Sequence, residues 1–551
     1  MVIYQLFPRL FTNVNSHCVA NGTRGQNGCG KMNDITSELL LSLKQLGVTA
    51  VWYTGIIRHA TTTHYNGIPD CHPGIVKGRA GSPYAISDYY DVNPDIAQNV
   101  PNRMEEFHRL VERTHRAGMQ VIIDFVPNHV ARQYHSIARP SNVEDLGAAD
   151  DHTKFFDADN NFYYITHQSF SPSFDCGDYH EFPAKATGND CYHASPGRGD
   201  WYETVKLNYG INPKDGSRHF NPVPDTWHKM FHILHFWADK GIDAFRCDMA
   251  HMVPVEFWRW AIAQIKAVHP ALKFIAEIYD TALYPAFVDA GFDYLYDKVT
   301  LYDSLINVLN HNQSAQSITR CWQTTEQVQN HMLHFLENHD EVRLASTQCC
   351  GDAFKALPAL VLSAFLTPSP MMIYAGQELG EDAHEAEGFS GHDGRTTIFD
   401  YWSVPTVRDW LTGHESASSR ALRKFYEQIL CLRQSENAFS QGLMHDLMYA
   451  NPHLDRQFAF LRGGGKEVAL VVTNFQPTAI SIELTIPQHA FEHMSLPHGT
   501  YWAQDLLAGL HGHEHAQDVE VSLLPNEVLR IDLQPHNALV WKLVAKSENK
   551  K

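Results

Sequence analysis

Residues 241–248 read Gly-Ile-Asp-Ala-Phe-Arg-Cys-Asp, a short apolar run that ends in charged side chains. Its core, Ile242 to Cys247, has the length and composition of a buried β-strand. Arg246 and Asp248 are two residues apart, so their side chains project to the same face of that strand. Taken alone, such a pair is typical of a structural ion pair. Whether this pair belongs to a functional site depends on the residues at the ends of the other strands.

Seven further runs of strand character accompany this one, and most lead into a segment in which apolar residues recur with helical spacing. In Met104–Ala117, for example, the apolar residues fall on one face and the charges fall elsewhere. Eight strand–helix units in series predict an α/β fold of the (β/α)8 TIM-barrel type. The strand runs are centred on Ile3, Val51, Val121, Ala244, Phe274, Tyr294, Phe335 and Met372.

Two departures from this alternation divide the chain. The stretch between the third and fourth strand runs is rich in Gly, Asn, Asp and aromatic residues and is far longer than a normal connection, which predicts an inserted subdomain. From about Asn437 apolar residues alternate with polar ones, and turn residues separate the runs, which predicts an all-β sandwich. The predicted domains are a catalytic barrel formed by residues 1–132 and 220–436, an inserted subdomain at 133–219 and a C-terminal β-sandwich at 437–551.

The barrel prediction gives the polar strand ends a common location, because the active site of such a barrel lies at the carboxyl ends of its strands. Asp248 ends the fourth run, Glu277 ends the fifth, and the seventh leads to Asp340. We expect Arg246 to lower the pKa of Asp248 and keep it ionised, as a nucleophile requires. Glu277 would face that anion, which favours its protonated form and suits a general acid. Carboxyls on adjacent strands can approach the ~5–5.5 Å separation of retaining glycosidases.

Four segments at these strand ends, in this order, resemble the signature motifs of the α-amylase family of glycoside hydrolases. They are Asp124-Phe125-Val126-Pro127-Asn128-His129, Gly241 to Asp248, Phe274-Ile275-Ala276-Glu277 and Glu337-Asn338-His339-Asp340. Stretches at 47–52, 88–94 and 373–378 add to the resemblance, which covers residues 1 to about 435. The predicted β-sandwich also fits the family.

The resemblance implies a role for each matching residue. Asp248 would attack the anomeric carbon, Glu277 would protonate the leaving oxygen, and Asp340 would stabilise the oxocarbenium-like transition state. The residues implied to contact or support the substrate are Tyr84, His129, Arg246, His251 and His339. Where the family often has Lys-His, this chain has His251 and Met252, so the subsite on the leaving side is expected to differ.

The resemblance also bears on calcium. In the family, a calcium site commonly uses the residue that matches Asn128, an Asp of the inserted subdomain and a backbone carbonyl near Met252. Here Lys206 stands where that Asp is usual, so we expect its ammonium to replace the ion by donating to Asn128 and nearby carbonyls. No cofactor is then required, and a structural Ca2+ ion at Asn128 is the alternative.

Composition disfavours other classes of partner. A formal net charge of −19 over 551 residues disfavours nucleic acid, which is bound largely through Lys and Arg. The longest apolar run, Leu357–Leu366, is too short for a membrane span and predicts a buried helix. The chain begins with strand-like residues, so we expect a cytoplasmic protein, with a periplasmic or secreted location as the alternative if a leader has been removed. The ten cysteines are expected to be thiols rather than loop disulfides. The oligomeric state stays open.

The expected function is hydrolysis of α-1,4-glucosidic bonds in starch- or glycogen-type glucans or malto-oligosaccharides, by double displacement with retention. A second hypothesis is a transferase, isomerase or phosphorylase of the same family, in which a sugar or phosphate receives the glycosyl intermediate. A third is a non-catalytic glycan-binding relative. The presence of Asp248, Glu277 and Asp340 argues against the third.

Overall fold

The computed structural model of the protein describes residues 1–546, so the final five residues of the predicted C-terminal domain lie outside it. Its centre is a closed barrel of eight parallel strands, one at each predicted run. The strands are β1 (Val2–Leu6), β2 (Ala50–Tyr53), β3 (Gln120–Phe125), β4 (Ala244–Cys247), β5 (Lys273–Ala276), β6 (Tyr294–Tyr296), β7 (Met332–Phe335) and β8 (Met371–Tyr374). Successive strands are neighbours, and β8 pairs with β1 to close the sheet. The predicted barrel is confirmed.

Helices follow the strands along the chain. They are α1 (Ser37–Gln45), α2 (Arg103–Arg116), α3 (Asp225–Ala238), α4 (Val255–Val268), α5 (Tyr284–Asp289), α6 (Asp303–Asn310), α7 (Ser317–Thr324), α8 (Leu357–Phe365), α9 (Pro405–Leu411) and α10 (Ala417–Ser435). The amphipathic segment predicted near 104–117 is α2, and Phe107 and Val111 lie on its buried face. The apolar run at 357–366 is α8, which is buried throughout. Within residues 1–546, no helix has both the length and the apolarity needed to cross a membrane.

The alternation of side chains along each strand produces two separate cores. Side chains of one parity, such as Ala244 and Ile275, fill the barrel interior, and those of the other parity join a larger core between the strands and the helices. Because Arg246, Asp248 and Glu277 have the parity of the interior residues, they lie at the mouth of the barrel and face inward. The interior cluster consists of Ile3, Ala50, Trp52, Ile122, Ala244, Ile275, Tyr296, Tyr302, Leu333, Phe335 and Met372.

The long segment between β3 and α3 forms the predicted insertion. A short antiparallel ladder, His129–Ala131 with Thr204–Lys206, connects it to the end of β3. A second ladder joins Tyr164–Ile165 to Ala184–Lys185. Aromatic and small residues around Tyr163 form a small core of its own. Its borders at 133 and 219 stay predictions.

Within residues 437–546 the C-terminal part is antiparallel and mostly β, with two short α-helices, Asn437–Ser440 and α11 (Gln488–Met494). Its strands are β9 (Leu443–Asp446), β10 (Gln457–Gly464), β11 (Glu467–Asn474), β12 (Ile480–Thr485), β13 (Gly499–Asp505), β14 (Val519–Leu523), β15 (Val528–Leu533) and β16 (Asn537–Ala545). They form a six-stranded sheet in the order β9-β10-β11-β16-β13-β14 and a two-stranded sheet of β12 and β15. The two alternating runs that predicted the sandwich are β12 and β15, which pair Ile482 with Ile531. All ten cysteines are free thiols.

Candidate active site

Arg246 holds three carboxylates at the mouth of the barrel. Its guanidinium is buried, and Nη1 lies 2.8 Å from Asp248 Oδ1 and 3.4 Å from Asp124 Oδ1. Nη2 lies 2.8 Å from Glu277 Oε2. The register places Arg246 opposite Asp124 on β3, which explains the second contact. One buried cation therefore brings the predicted nucleophile and the predicted acid into a single cluster.

Aromatic rings enclose the guanidinium. Its central carbon lies 5.2 Å from the ring centre of Trp52, 5.3 Å from that of Tyr84 and 5.5 Å from that of Tyr296. The Trp52 indole also donates to Asp124, at 2.9 Å. These rings exclude water from the cation and fix its orientation.

The two principal carboxylates differ in their hydrogen bonds. Glu277 accepts at both oxygens, from the Tyr279 hydroxyl at 2.5 Å and from the Met249 backbone N–H at 2.7 Å. Met249 adopts a left-handed conformation with φ of 42°, which costs a non-glycine residue ~1–2 kcal/mol. The left-handed residue is thus the one whose backbone N–H donates to Glu277. Asp248 binds Arg246 through Oδ1 and has no hydrogen-bond partner among residues 1–546 at its buried Oδ2.

Arg246 lowers the pKa of Asp248 as expected, but the net shift of that pKa is upward, against the expectation. Burial and the adjacent charge of Glu277 together outweigh Arg246 and raise the pKa of Asp248 well above its ordinary value. Burial likewise raises the pKa of Asp124, to about 6. The error has a physical cause: one guanidinium is shared among three buried carboxylates rather than paired with one.

Asp340 follows β7 at the same mouth, in a network that starts on β1. Gln5 contacts His339 Nδ1 at 2.8 Å, and His339 Nε2 lies 2.6 Å from the Tyr84 hydroxyl and 3.0 Å from Asp340 Oδ2. Burial alone would raise the pKa of Asp340, but His339 and the nearby arginines outweigh it and lower that pKa. The Asn338 side chain accepts from the Asp340 N–H and fixes the loop.

A cavity of about 320 Å³ opens over these groups. Asp248, Glu277 and Asp340 all line it, as do Tyr84 and His129. The remaining lining residues are Lys77, Ser82, Trp201, Glu203, Thr204, Met249, Tyr279, Ile398 and Phe399. Four carboxylates lie in this cavity beside the rings of Tyr84, Trp201, Tyr279 and Phe399. Such a lining suits a sugar, whose apolar face stacks on rings and whose hydroxyls need polar partners.

The other predicted substrate residues are distributed around this cavity. His129 is buried, and burial, Lys206 and Lys77 lower its pKa to about 3, so it is neutral at physiological pH. His339 and Arg246 support the wall from behind. The ring of His251 lies 5.7 Å from that of Tyr279, outside the cavity lining.

Several lining residues are absent from the sequence prediction. Lys77 and Glu203 form a buried ion pair at 3.1 Å, and they come from the loop after β2 and from the insertion. No motif joins two residues so far apart in the chain. Tyr279 could have been found, because it follows Glu277 by two residues and keeps its parity.

The ammonium of Lys206 lies among the oxygens expected of the calcium site. It donates to Asn128 Oδ1, lies 3.4 Å from the Met252 carbonyl and pairs with Asp190 at 2.8 Å. The side chain is buried, and desolvation lowers its pKa. Because a cation of the protein itself occupies the centre of these oxygens, the arrangement does not fit a calcium ion. That no ion is needed stays a prediction.

A (β/α)8 barrel with clustered carboxylates in a ring-lined cavity is the architecture of a glycoside hydrolase. Comparison with known families agrees: residues 5–428 match the α-amylase catalytic domain and residues 449–544 match the α-amylase C-terminal all-β domain. The chain therefore belongs to the α-amylase family of glycoside hydrolases.

Individual relatives are distant. Neopullulanase 2 of Thermoactinomyces vulgaris is 23% identical over 540 residues, which is 95% of this chain and 76% of that protein. A cyclomaltodextrinase of a Bacillus species is 23% identical over 86% of this chain and 72% of its own length. Among solved structures, a maltogenic α-amylase of Thermotoga neapolitana matches with a TM-score of 0.63 at 20% identity, covering 99% of both chains. An acarbose-bound α-amylase of Geobacillus thermoleovorans matches with 0.60 at 18%, covering 99% and 98%. At these identities the structures show the fold alone.

Proposed function

We propose that this enzyme hydrolyses α-1,4-glucosidic bonds in malto-oligosaccharides and starch-type glucans by double displacement with retention. Asp248 is the nucleophile, Glu277 the general acid and base, and Asp340 the group that binds sugar hydroxyls and stabilises the transition state. The substrate class is supported by family membership and by the names of the relatives, neopullulanase and cyclomaltodextrinase.

One observation carries the mechanism. Arg246 contacts Asp248 and Glu277 at 2.8 Å each, through different nitrogens of one guanidinium. Carboxyls held by one planar group are close, and the short separation of retaining enzymes leaves no room for a water between them. Asp248 Oδ2, which is free of hydrogen bonds within the described chain, is then the atom that attacks the anomeric carbon.

The steps follow from the contacts. Glu277 gives its proton to the leaving oxygen as Asp248 forms a bond to the anomeric carbon, and the leaving sugar departs with that proton. A water molecule then gives a proton to Glu277 and adds to the anomeric carbon, which breaks the bond to Asp248. Sugar rings stack on Tyr84 and Trp201, and neutral His129 donates to a hydroxyl group.

The transferase, isomerase and phosphorylase alternatives share the covalent intermediate and differ only in what replaces water. A non-catalytic relative would give no products. Incubation with soluble starch, maltohexaose, a cyclomaltodextrin, maltose, sucrose and trehalose, each with and without inorganic phosphate, followed by product chromatography, distinguishes all of these. We expect maltose and glucose from the first three substrates.

The nucleophile is tested by Asp248→Asn, which keeps the size of the side chain but offers a neutral amide. We expect kcat to fall by at least ~10³-fold, about 4 kcal/mol of transition-state stabilisation. Asp289→Asn, the same exchange at an exposed position of α5 outside the cavity, should leave kcat unchanged. Substantial starch hydrolysis by Asp248→Asn would show that the nucleophile is a different residue.

A further inference from the structure

Two histidines and an aspartate converge at the end of the barrel opposite the active site. His235 lies in the last turn of α3, Asp239 is the residue that caps that helix, and His269 caps α4. Asp239 precedes β4 and His269 precedes β5, so the three residues lie where those strands begin, whereas the catalytic carboxylates follow the strand ends. Neither the α-glucan chemistry nor the family motifs involve them.

The three side chains are close enough to share one ion. His235 Nδ1 lies 3.1 Å from Asp239 Oδ2, and His269 Nε2 lies 3.3 Å from Asp239 Oδ1. One ligand atom from each residue lies within 4.8 Å of the other two. The two imidazole rings are 5.3 Å apart and nearly perpendicular. The two nitrogen–oxygen separations, 3.1 and 3.3 Å, are close to those between ligands of a tetrahedral zinc ion with ~2.0–2.2 Å bonds.

Hydrogen bonding does not account for the arrangement. His269 Nε2 is buried and makes no hydrogen bond within residues 1–546, although it lies at ion-pair distance from Asp239. A buried ring nitrogen without a partner is costly for a purely structural histidine. Coordination to a metal ion would satisfy it, because neutral imidazole offers a lone pair.

The backbone favours a cation at the same point. Both α3 and α4 are 14 residues long, and both end here, so the negative ends of two helix dipoles meet at the cluster. The nearest lysine in sequence, Lys240, lies with its ammonium over the Phe236 ring at 4.6 Å.

We propose that His235, Asp239 and His269 bind one borderline-soft divalent transition-metal ion, with zinc as the reference ion, and that this ion links α3 to α4. Asp239 is exposed, which leaves the fourth position to water. The ion is structural: it stabilises the packing of two adjacent helices and takes no part in glycoside cleavage. Hard ions such as Ca2+ and Mg2+ prefer all-oxygen sites and should bind far more weakly here.

The test uses the full chain after removal of metals by EDTA and buffer exchange. Isothermal titration with ZnCl2 should give one strong site per chain, and zinc but not CaCl2 or MgCl2 should raise the melting temperature. His269→Ala and Asp239→Asn should each weaken that site by at least ~10–100-fold, since even outer-shell changes at metal sites have such effects. Asp239→Asn preserves side-chain shape, so its result does not depend on tolerance of a cavity.

Two control variants make the assignment specific. His228→Ala removes an exposed histidine of the same helix that is outside the cluster, and should leave zinc affinity unchanged. The double variant His445→Ala/His493→Ala removes another close histidine pair, whose Nδ1 atoms are 3.0 Å apart, and should also leave the strong site intact. Loss of the strong site in the double variant, its persistence in His269→Ala, or the absence of stoichiometric zinc binding by the unaltered protein would overturn the proposal.

Discussion

Lys206 offers a direct test of how the insertion is attached to the barrel. It is on the insertion strand Thr204–Lys206, and its ammonium reaches Asn128 after β3 and the Met252 carbonyl after β4. In Lys206→Ala the buried Asn128 oxygen and the partly buried Met252 carbonyl lose their donor, at a cost of up to ~1–3 kcal/mol each. The ion pair with Asp190 adds little, ~0–1 kcal/mol, because that carboxylate is 47% exposed.

The free energy of unfolding should fall by about 2–4 kcal/mol in total, since removal of the ammonium also removes the cost of burying it. For a catalytic unit spanning residues 5–428, an unfolding entropy of ~2.1 cal/mol/K per residue converts each kcal/mol into about 1 °C. We therefore expect the melting temperature to fall by about 2–4 °C. Lys214→Ala, an exposed lysine of the same insertion, is the control and should change it by less than about 1 °C.

Lys206→Asp makes the test sharper. This variant supplies a carboxylate at the position where relatives commonly have one, so the stability of the variant should depend on calcium. When the calcium concentration is ~100 times the dissociation constant, binding adds ~2.7 kcal/mol to the free energy of unfolding. With both proteins first stripped of metal and kept free of zinc, melting curves in EDTA and in CaCl2 should be the same for the unaltered protein and differ for this variant. If EDTA alone destabilised or inactivated the unaltered protein and calcium restored it, the replacement would be refuted and Asn128 would be a calcium ligand.

Two further predictions concern the reaction. Retention requires that freshly released sugar be the α-anomer, so proton NMR before mutarotation should show that anomer first, and initial β-anomer would exclude double displacement. Attack requires ionised Asp248, whose pKa is raised, so kcat/KM should fall with decreasing pH at a value above ~3.9, the ordinary pKa of aspartate. Glu277→Gln removes the neighbouring charge and should move this fall in kcat/KM to lower pH. The measurement uses an aryl glycoside, whose leaving group needs no protonation. If the pH profile did not move, a group other than Asp248 would be titrating.

The barrel and the positions of its polar groups could be predicted from the sequence because both depend on local periodicity. Arg246 and Asp248 share a face by alternation alone, and Glu277 has the corresponding position on the next strand. The charge balance could not be predicted in this way. It depends on how deeply Asp124, Asp248 and Glu277 are buried around one guanidinium, and burial is a property of the assembled barrel rather than of any one strand.

The same limit applies to the walls of the cavity. Lys77, Glu203 and Phe399 come from three loops that are distant in sequence and meet only after folding. Their local sequences have no signature, since an ion pair such as Lys77–Glu203 depends on the relative position of the insertion and the β2 loop. The insertion itself was predictable from its length, but not which of its residues would face the substrate.

The negative charge around Asp248 affects catalysis as well as the pKa of that residue. Asp124, Asp248 and Glu277 surround Arg246, so with all three carboxyls ionised the buried cluster has more negative than positive charge. Burial raises the pKa of Asp248 most, and the negative charge of Glu277 and Asp124 raises it further. The same excess attracts positive charge, and glycoside cleavage passes through a transition state in which the sugar ring becomes positive. Fixed groups in a buried site stabilise such charge without reorganising. The negative charge that helps to raise the pKa of Asp248 therefore also favours a positively charged sugar ring at the same place.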